Sequence, residues 1–97
     1  MSPEEVSAEL LQDFKARMRI THDTEDGNLR WLLSSSYAAV KATCGDFDIA
    51  TNQEGKELVF ERARYAYNDS VEFFEVNFMR RLHAFGISLV VLEDETV

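Results

Sequence analysis

Seven residues constrain this chain more than any others: Leu29, Leu32, Leu33, Ser36, Tyr37, Val40 and Cys44. They recur at helical intervals across sixteen positions, so they define one face of an amphipathic helix. Gly45 follows at once and suits the position just past a helix end, where a left-handed backbone is needed. An element this long with one greasy side must lie against other helices, so an all-α bundle is expected.

The stretch before it, Arg19-Ile20-Thr21-His22-Asp23-Thr24-Glu25-Asp26, reads as a stop followed by a start. Upstream, Val6, Leu10, Leu11, Phe14 and Met18 share a helical face. Ser2, Pro3 and Glu5 form a capping box with proline at the first helical position, which starts the first helix near residue 3. Early acids (Glu4, Glu5, Glu9) and late bases (Lys15, Arg17, Arg19) complement the dipole of that helix. Downstream, Thr21 or Asp23 is the expected N-cap of a second helix beginning near Thr24, with acids in its first turn. The junction therefore makes two helices pack as a hairpin or corner.

Residues 46–54 are the one real linker, with Phe47 and Ile49 alternating against Asp46 and Asp48. Thr51 and Glu54 offer a capping box for a third helix. Helical spacing then predicts one long helix over 54–80, with Val59, Phe60, Ala63, Ala66, Tyr67, Ser70, Val71, Phe74 and Phe78 on its core face. Leu58, Tyr65, Phe73 and Val76 form a second apolar stripe nearly opposite, and Glu57, Glu61, Glu72 and Glu75 an acidic sector between the two. The second stripe has no partner within three helices and is expected to meet either the C-terminal tail or another subunit. Gly86 interrupts the pattern, and Ile87–Leu92 reads as a strand or a last helical turn. The fold expected is a single domain over 1–97, a three- or four-helix bundle with an extended or short helical tail at 86–97.

Charge and chemistry narrow the function. With 18 acids against 10 bases the net charge is −8, which disfavours a phosphate-binding surface. Aromatics are 11% of the chain, seven of them Phe, so either the core or an interface is rich in rings. The N-terminus lacks the pattern of a signal peptide and no apolar run approaches membrane-spanning length, so a soluble intracellular protein is expected. The single cysteine, Cys44, ends an apolar face and reads as a small hydrophobe. His22, Cys44 and His83 lack metal-ligand spacing. Ser34, Ser35 and Ser36 lack a nucleophile elbow and read as a place where a neighbouring helix comes close. Arg62, Tyr65, Arg80 and Arg81 are the densest basic-aromatic group, but nearby glutamates offset them. No catalytic, cofactor or metal residues emerge, and an enzyme is not expected.

Two blocks carry a family resemblance. Residues 14–45, FKARMRITHDTEDGNLRWLLSSSYAAVKATCG, and residues 62–78, RARYAYNDSVEFFEVNF, in this order and spacing, resemble the small helical head–tail connector proteins of tailed bacteriophages. The likeness covers about residues 8–80 and weakens after Phe78. It implies a neck protein of the virion, made in the host cytoplasm. Its partners would be copies of itself in a ring under the portal protein, a downstream neck or tail-completion protein, and genomic DNA passing through without specific binding. No membrane and no cofactor are implied. On that reading Leu58, Tyr65, Phe73 and Val76 are candidate subunit-interface residues, and Glu57, Glu61, Glu72 and Glu75 are candidate channel-facing or solvent acids. The competing expectation is a small acidic helical regulator, inhibitor-like or antitoxin-like, that binds one protein partner.

Overall fold

The computed structural model describes residues 1–95, with side chains as far as Val90. Four α-helices build it: α1 (Ala8–Met18), α2 (Asp26–Cys44), α3 (Gln53–Tyr67) and α4 (Phe74–Glu95), with 3-10 turns at Pro3–Glu5 and Val71–Phe73. No strand occurs among the described residues. The chain is thus a small all-helical bundle. α2 is its hub, packing against α3, α4, α1 and the N-terminal turn.

The seven-residue face of α2 is where the core forms. Leu29 and Leu33 are fully buried, with Leu32, Val40, Cys44 and Ser36 nearly so. Around them stand Phe14 from α1, Leu58, Val59, Phe60 and Ala63 from α3, and Phe74, Leu82 and Phe85 from α4. The Phe14 and Phe60 rings meet at 5.3 Å between centroids. Ser34 and Ser35 turn their hydroxyls back onto the carbonyls of Trp31 and Leu32. Their polar atoms are thereby satisfied within the helix.

Helix starts differ from expectation in instructive ways. The Ser2–Glu5 box is present, with the Ser2 N–H donating to Glu5 Oε1 at 2.8 Å, but it closes only the first 3-10 turn. Ser7 is the cap of α1, its Oγ accepting from the Leu10 N–H at 3.0 Å. That puts Val6 and Leu11 at the two positions of a hydrophobic staple, and both are 2% exposed. Arg30 of α2 donates to the Val6 carbonyl and ties the turn down. Neither Thr21 nor Asp23 caps α2. It begins two residues later than expected, with Glu25 at the cap and no side-chain cap bond. Asp23 and Asp26 instead reach Lys15 across the junction, at 2.7 and 2.8 Å. Thr51 likewise yields to Asn52, whose Oδ1 accepts from the Gly55 N–H at 3.0 Å.

The long third helix of the sequence reading is two helices. After Tyr67 the chain turns through Asp69 at φ 57°. The Ser70 N–H donates to the Tyr65 carbonyl at 2.8 Å and the Asp69 N–H to Ala66 at 3.1 Å. This is a Schellman stop, the same device that ends α1 at Arg19 (φ 60°). Of the two readings of the C-terminal segment the helical one holds, as part of a longer helix than expected. Gly86 does not break anything; α4 runs through it to Glu95, and residues 96–97 of the expected tail lie outside the described residues.

Two of the glycines inside helices, Gly55 and Gly86, have opposite consequences. A Cβ at Gly55 would overlap the Phe47 ring and come within 2.9 Å of Phe85 Cζ. Any retreat of Phe47 would disturb its edge-on contacts with Tyr37 and Phe85 at 5.2 and 5.1 Å. At Gly86 the nearest atom, the Cys44 carbonyl oxygen, would be 3.5 Å away, an ordinary contact. Alanine is favoured over glycine in a helix by about 1 kcal/mol, whereas overpacking costs roughly 1–3 kcal/mol. Gly86→Ala is therefore expected to raise stability in urea denaturation and Gly55→Ala to lower it. The same sign for both would refute this packing account.

Candidate interaction surface

The break at Asn68–Ser70 rearranges the residues that a continuous helix would have aligned. Leu58 is fully buried in the core. Tyr65 is half-buried, its ring edge-on to Phe74 and Phe78 at 5.8 and 5.7 Å, with its hydroxyl accepting from Asn77 Nδ2 at 3.0 Å. Phe73 and Val76 alone of the four face outward, at 56% and 70% exposure. The proposed stripe is therefore not one surface. Its first half belongs to the bundle, and its second half belongs to the start of α4.

What α4 presents is a different and longer apolar face. Val76, Met79, Ile87 and Val90 are all more than half exposed, and His83 lies exposed among them. Met79, His83, Ile87 and Val90 of this face line an open groove of about 560 Å³ between α4 and the end of α2, together with Thr43 and Cys44. At Gly86 α4 passes beside the backbone of Cys44. The Cys44 thiol is buried, directed at the Leu82 carbonyl at 3.3 Å, and pushed up in pKa by that burial. It is therefore a poor thiolate. Sequence reasoning missed most of this face because it treated residues 86–92 as a separate element; once α4 is continuous, the spacing of the same residues displays it.

The four candidate acids divide in the same way. Glu57 and Glu61 on α3 sit in a network of cations. Glu61 accepts from Arg64 at 2.7 Å and lies 3.8 Å from Arg17. Glu57 lies 3.6 Å from Arg81, which also holds Glu54 at 2.6 Å. The Arg64 hydrogen bond, helped by the fields of Arg64, Arg17 and Arg81, holds the Glu61 carboxyl below the usual range. Glu72 and Glu75 stand on the other side of the break, both exposed, Glu72 in the 3-10 turn and Glu75 at the start of α4. The acids do not share one sector, and the α3 pair is largely neutralised by its neighbours.

The remaining titratable residues hold the fold. His22 Nε2 and the Tyr67 hydroxyl both meet Glu25 Oε2, at 2.8 and 2.9 Å. The contact with His22 first, and that with Tyr67 second, draws the Glu25 carboxyl down in pKa. Arg62 is half-buried and donates to Ser36 Oγ at 3.1 Å; desolvation lowers its pKa, with Glu75 opposing. No group of three or more His, Cys, Asp or Glu side chains among the described residues is arranged to hold a metal ion. No helix among them is long and apolar enough to cross a membrane. Neither a family model, nor a curated protein, nor a solved structure matches the chain.

Proposed function

We propose that the chain is an assembly subunit: a small head–tail connector protein of a tailed bacteriophage, which forms a ring beneath the portal and offers a platform to later neck or tail components. The observation that carries this reading is the outward apolar face of α4, a helix whose opposite side already completes the core through Phe74, Leu82 and Phe85. Val76, Met79, Ile87 and Val90 add nothing to that core, and exposed apolar area arranged in a continuous stripe marks a contact surface. The resemblance of residues 14–45 and 62–78 to connector proteins supplies the kind of assembly. The net charge of −8 suits a subunit beside DNA that must slide rather than be gripped.

The test pairs folding with assembly on the same sample. Val76→Ser with Met79→Ser is expected to leave helicity and cooperative melting intact by circular dichroism. It is expected to abolish ring formation or docking on portal in native mass spectrometry. Tyr65 is unsuitable for this experiment because its ring braces Phe74 and Phe78. A folded double variant that still assembles moves the contact off α4. A wild-type chain that stays monomeric or dimeric with portal present, and binds one unrelated protein instead, favours the regulator reading.

A further inference from the structure

The outward face of α4 carries information about what covers it. Val76, Met79, His83, Ile87 and Val90 follow one another at intervals of 3, 4, 4 and 3 residues. That spacing keeps one side of a helix in line over about 21 Å. The two edges of the stripe are oppositely charged: Glu75 borders one and Arg80, five residues on, borders the other. Both are exposed. Neither has an ion-pair partner within 4 Å among the described residues. Arg62, which senses Glu75, donates its own hydrogen bond to Ser36.

We propose that this face takes a second copy of the same chain, with the two α4 helices parallel and in register. The proposal rests on reading α4 as a contact surface and names its first partner. In a parallel pair the Glu75 edge of one helix lies along the Arg80 edge of the other, offset by five residues, and two-fold symmetry makes this contact twice. In an antiparallel pair centred on His83 like edges meet, but the two Glu75 side chains stand about 24 Å apart along the axis, so neither edge gains an opposite charge. The attraction between the Glu75 and Arg80 edges therefore favours the parallel arrangement. Eleven residues separate Val76 from Ile87, and Met79 from Val90. A repeat of that length winds a helix pair slightly right-handed, so α4 can stay straight against its bundle. Gly86 leaves room beside the seam, and His83 meets its own copy at the centre, a polar core position of the kind that sets register at some cost in affinity. Such a pair is closed, because an isologous contact uses the same patch on both sides and cannot propagate. It keeps the apolar face covered until a competing surface displaces the second copy.

The experiment is sedimentation velocity on the full chain over micromolar to near-millimolar concentrations. The wild type is compared with Glu75→Arg, Arg80→Glu and the double exchange. Wild type is expected to show a monomer–dimer equilibrium. Each single reversal sets like charges against each other and is expected to raise the dissociation constant on the order of tenfold, and the double exchange to restore it. Met79→Cys tests register under oxidation: a parallel pair joins the two introduced thiols to each other, while the buried Cys44 stays out of reach. A wild type that remains monomeric throughout overturns the proposal. So does a single reversal without effect, a double exchange that fails to rescue, or no disulfide from Met79→Cys. Charge changes without effect on the dimer, in a chain that still forms rings on portal, would refute the parallel pair and leave the connector reading standing. Pairs that pass the exchange test in a chain that never assembles on portal would do the reverse.

Discussion

Phe74→Ala is expected to remove about 3–5 kcal/mol of stability, a large share of the 5–15 kcal/mol that holds a small domain together. Phe74 is 2% exposed. It opens α4 immediately after the 3-10 turn, so its ring fixes where that helix meets the bundle. It stacks on Phe78 at 4.9 Å between centroids and takes the edge of Tyr65 at 5.8 Å. Alanine would leave a cavity between α2, α3 and α4, and both neighbouring rings would lose a face. Val76→Ala, two residues on, is the control: at 70% exposure it is expected to change the unfolding free energy of the monomer by less than about 0.5 kcal/mol. Urea denaturation at low protein concentration measures both. Similar losses for the two would mean that α4 docks through a different side, and the assignment of its outward face would fall with it.

Much of this core was legible before any coordinates. The α2 face apart from the half-buried Tyr37, together with Val6, Leu10, Leu11 and Phe14, is buried as spacing demands, because a 3.6-residue period against a single core leaves no other solution. The division of α3 from α4 was not legible by the same logic. Phe60, Ala63, Tyr67, Val71, Phe74 and Phe78 keep helical phase across the break, so apolar periodicity is blind to it. The polar run Asn68-Asp69-Ser70 was the available signal, since asparagine and aspartate tolerate a left-handed turn and serine favours turns. Missing it carried Leu58 and Tyr65 into a surface stripe when the turn in fact leaves them inside. At Gly86 the error ran the other way. A glycine within a helix costs only about 1 kcal/mol, less than the burial of Leu82 and Phe85 before it and of Leu89 after it can supply.

Least visible in the sequence was the role of Lys15, which read as a dipole-complementing base at the end of a helix. It is 3% exposed, and its Nζ donates to Asp23 Oδ1 at 2.7 Å and Asp26 Oδ1 at 2.8 Å. The two acids of the α1–α2 junction thus serve a tertiary contact rather than a cap. Hydrogen bonds to Asp23 and then Asp26 raise the pKa of the lysine against the opposing effect of burial, and the bond to Lys15 lowers that of Asp23. Removing the carboxylates strands a buried ammonium, whereas Lys15→Met removes the charge itself and leaves its partners in water. Asp23→Asn with Asp26→Asn is therefore expected to lower the melting temperature more than Lys15→Met. Asp26→Asn alone is expected to outweigh Asp23→Asn, since the Asp26 side chain is 31% exposed against 84% for Asp23, and exposed pairs contribute little. The pH dependence has two limbs. The contribution of Asp23 is complete above the ordinary carboxylate range and is lost as pH falls through its lowered folded pKa. That of Lys15 is complete below the ordinary lysine pKa and is lost as pH rises through its raised folded value. The gap in melting temperature between wild type and the double asparagine variant is thus widest around neutrality and narrows at both extremes. A gap that stays constant with pH, or a double asparagine variant that melts no lower than Lys15→Met, would show that the two aspartates do not hold the buried ammonium.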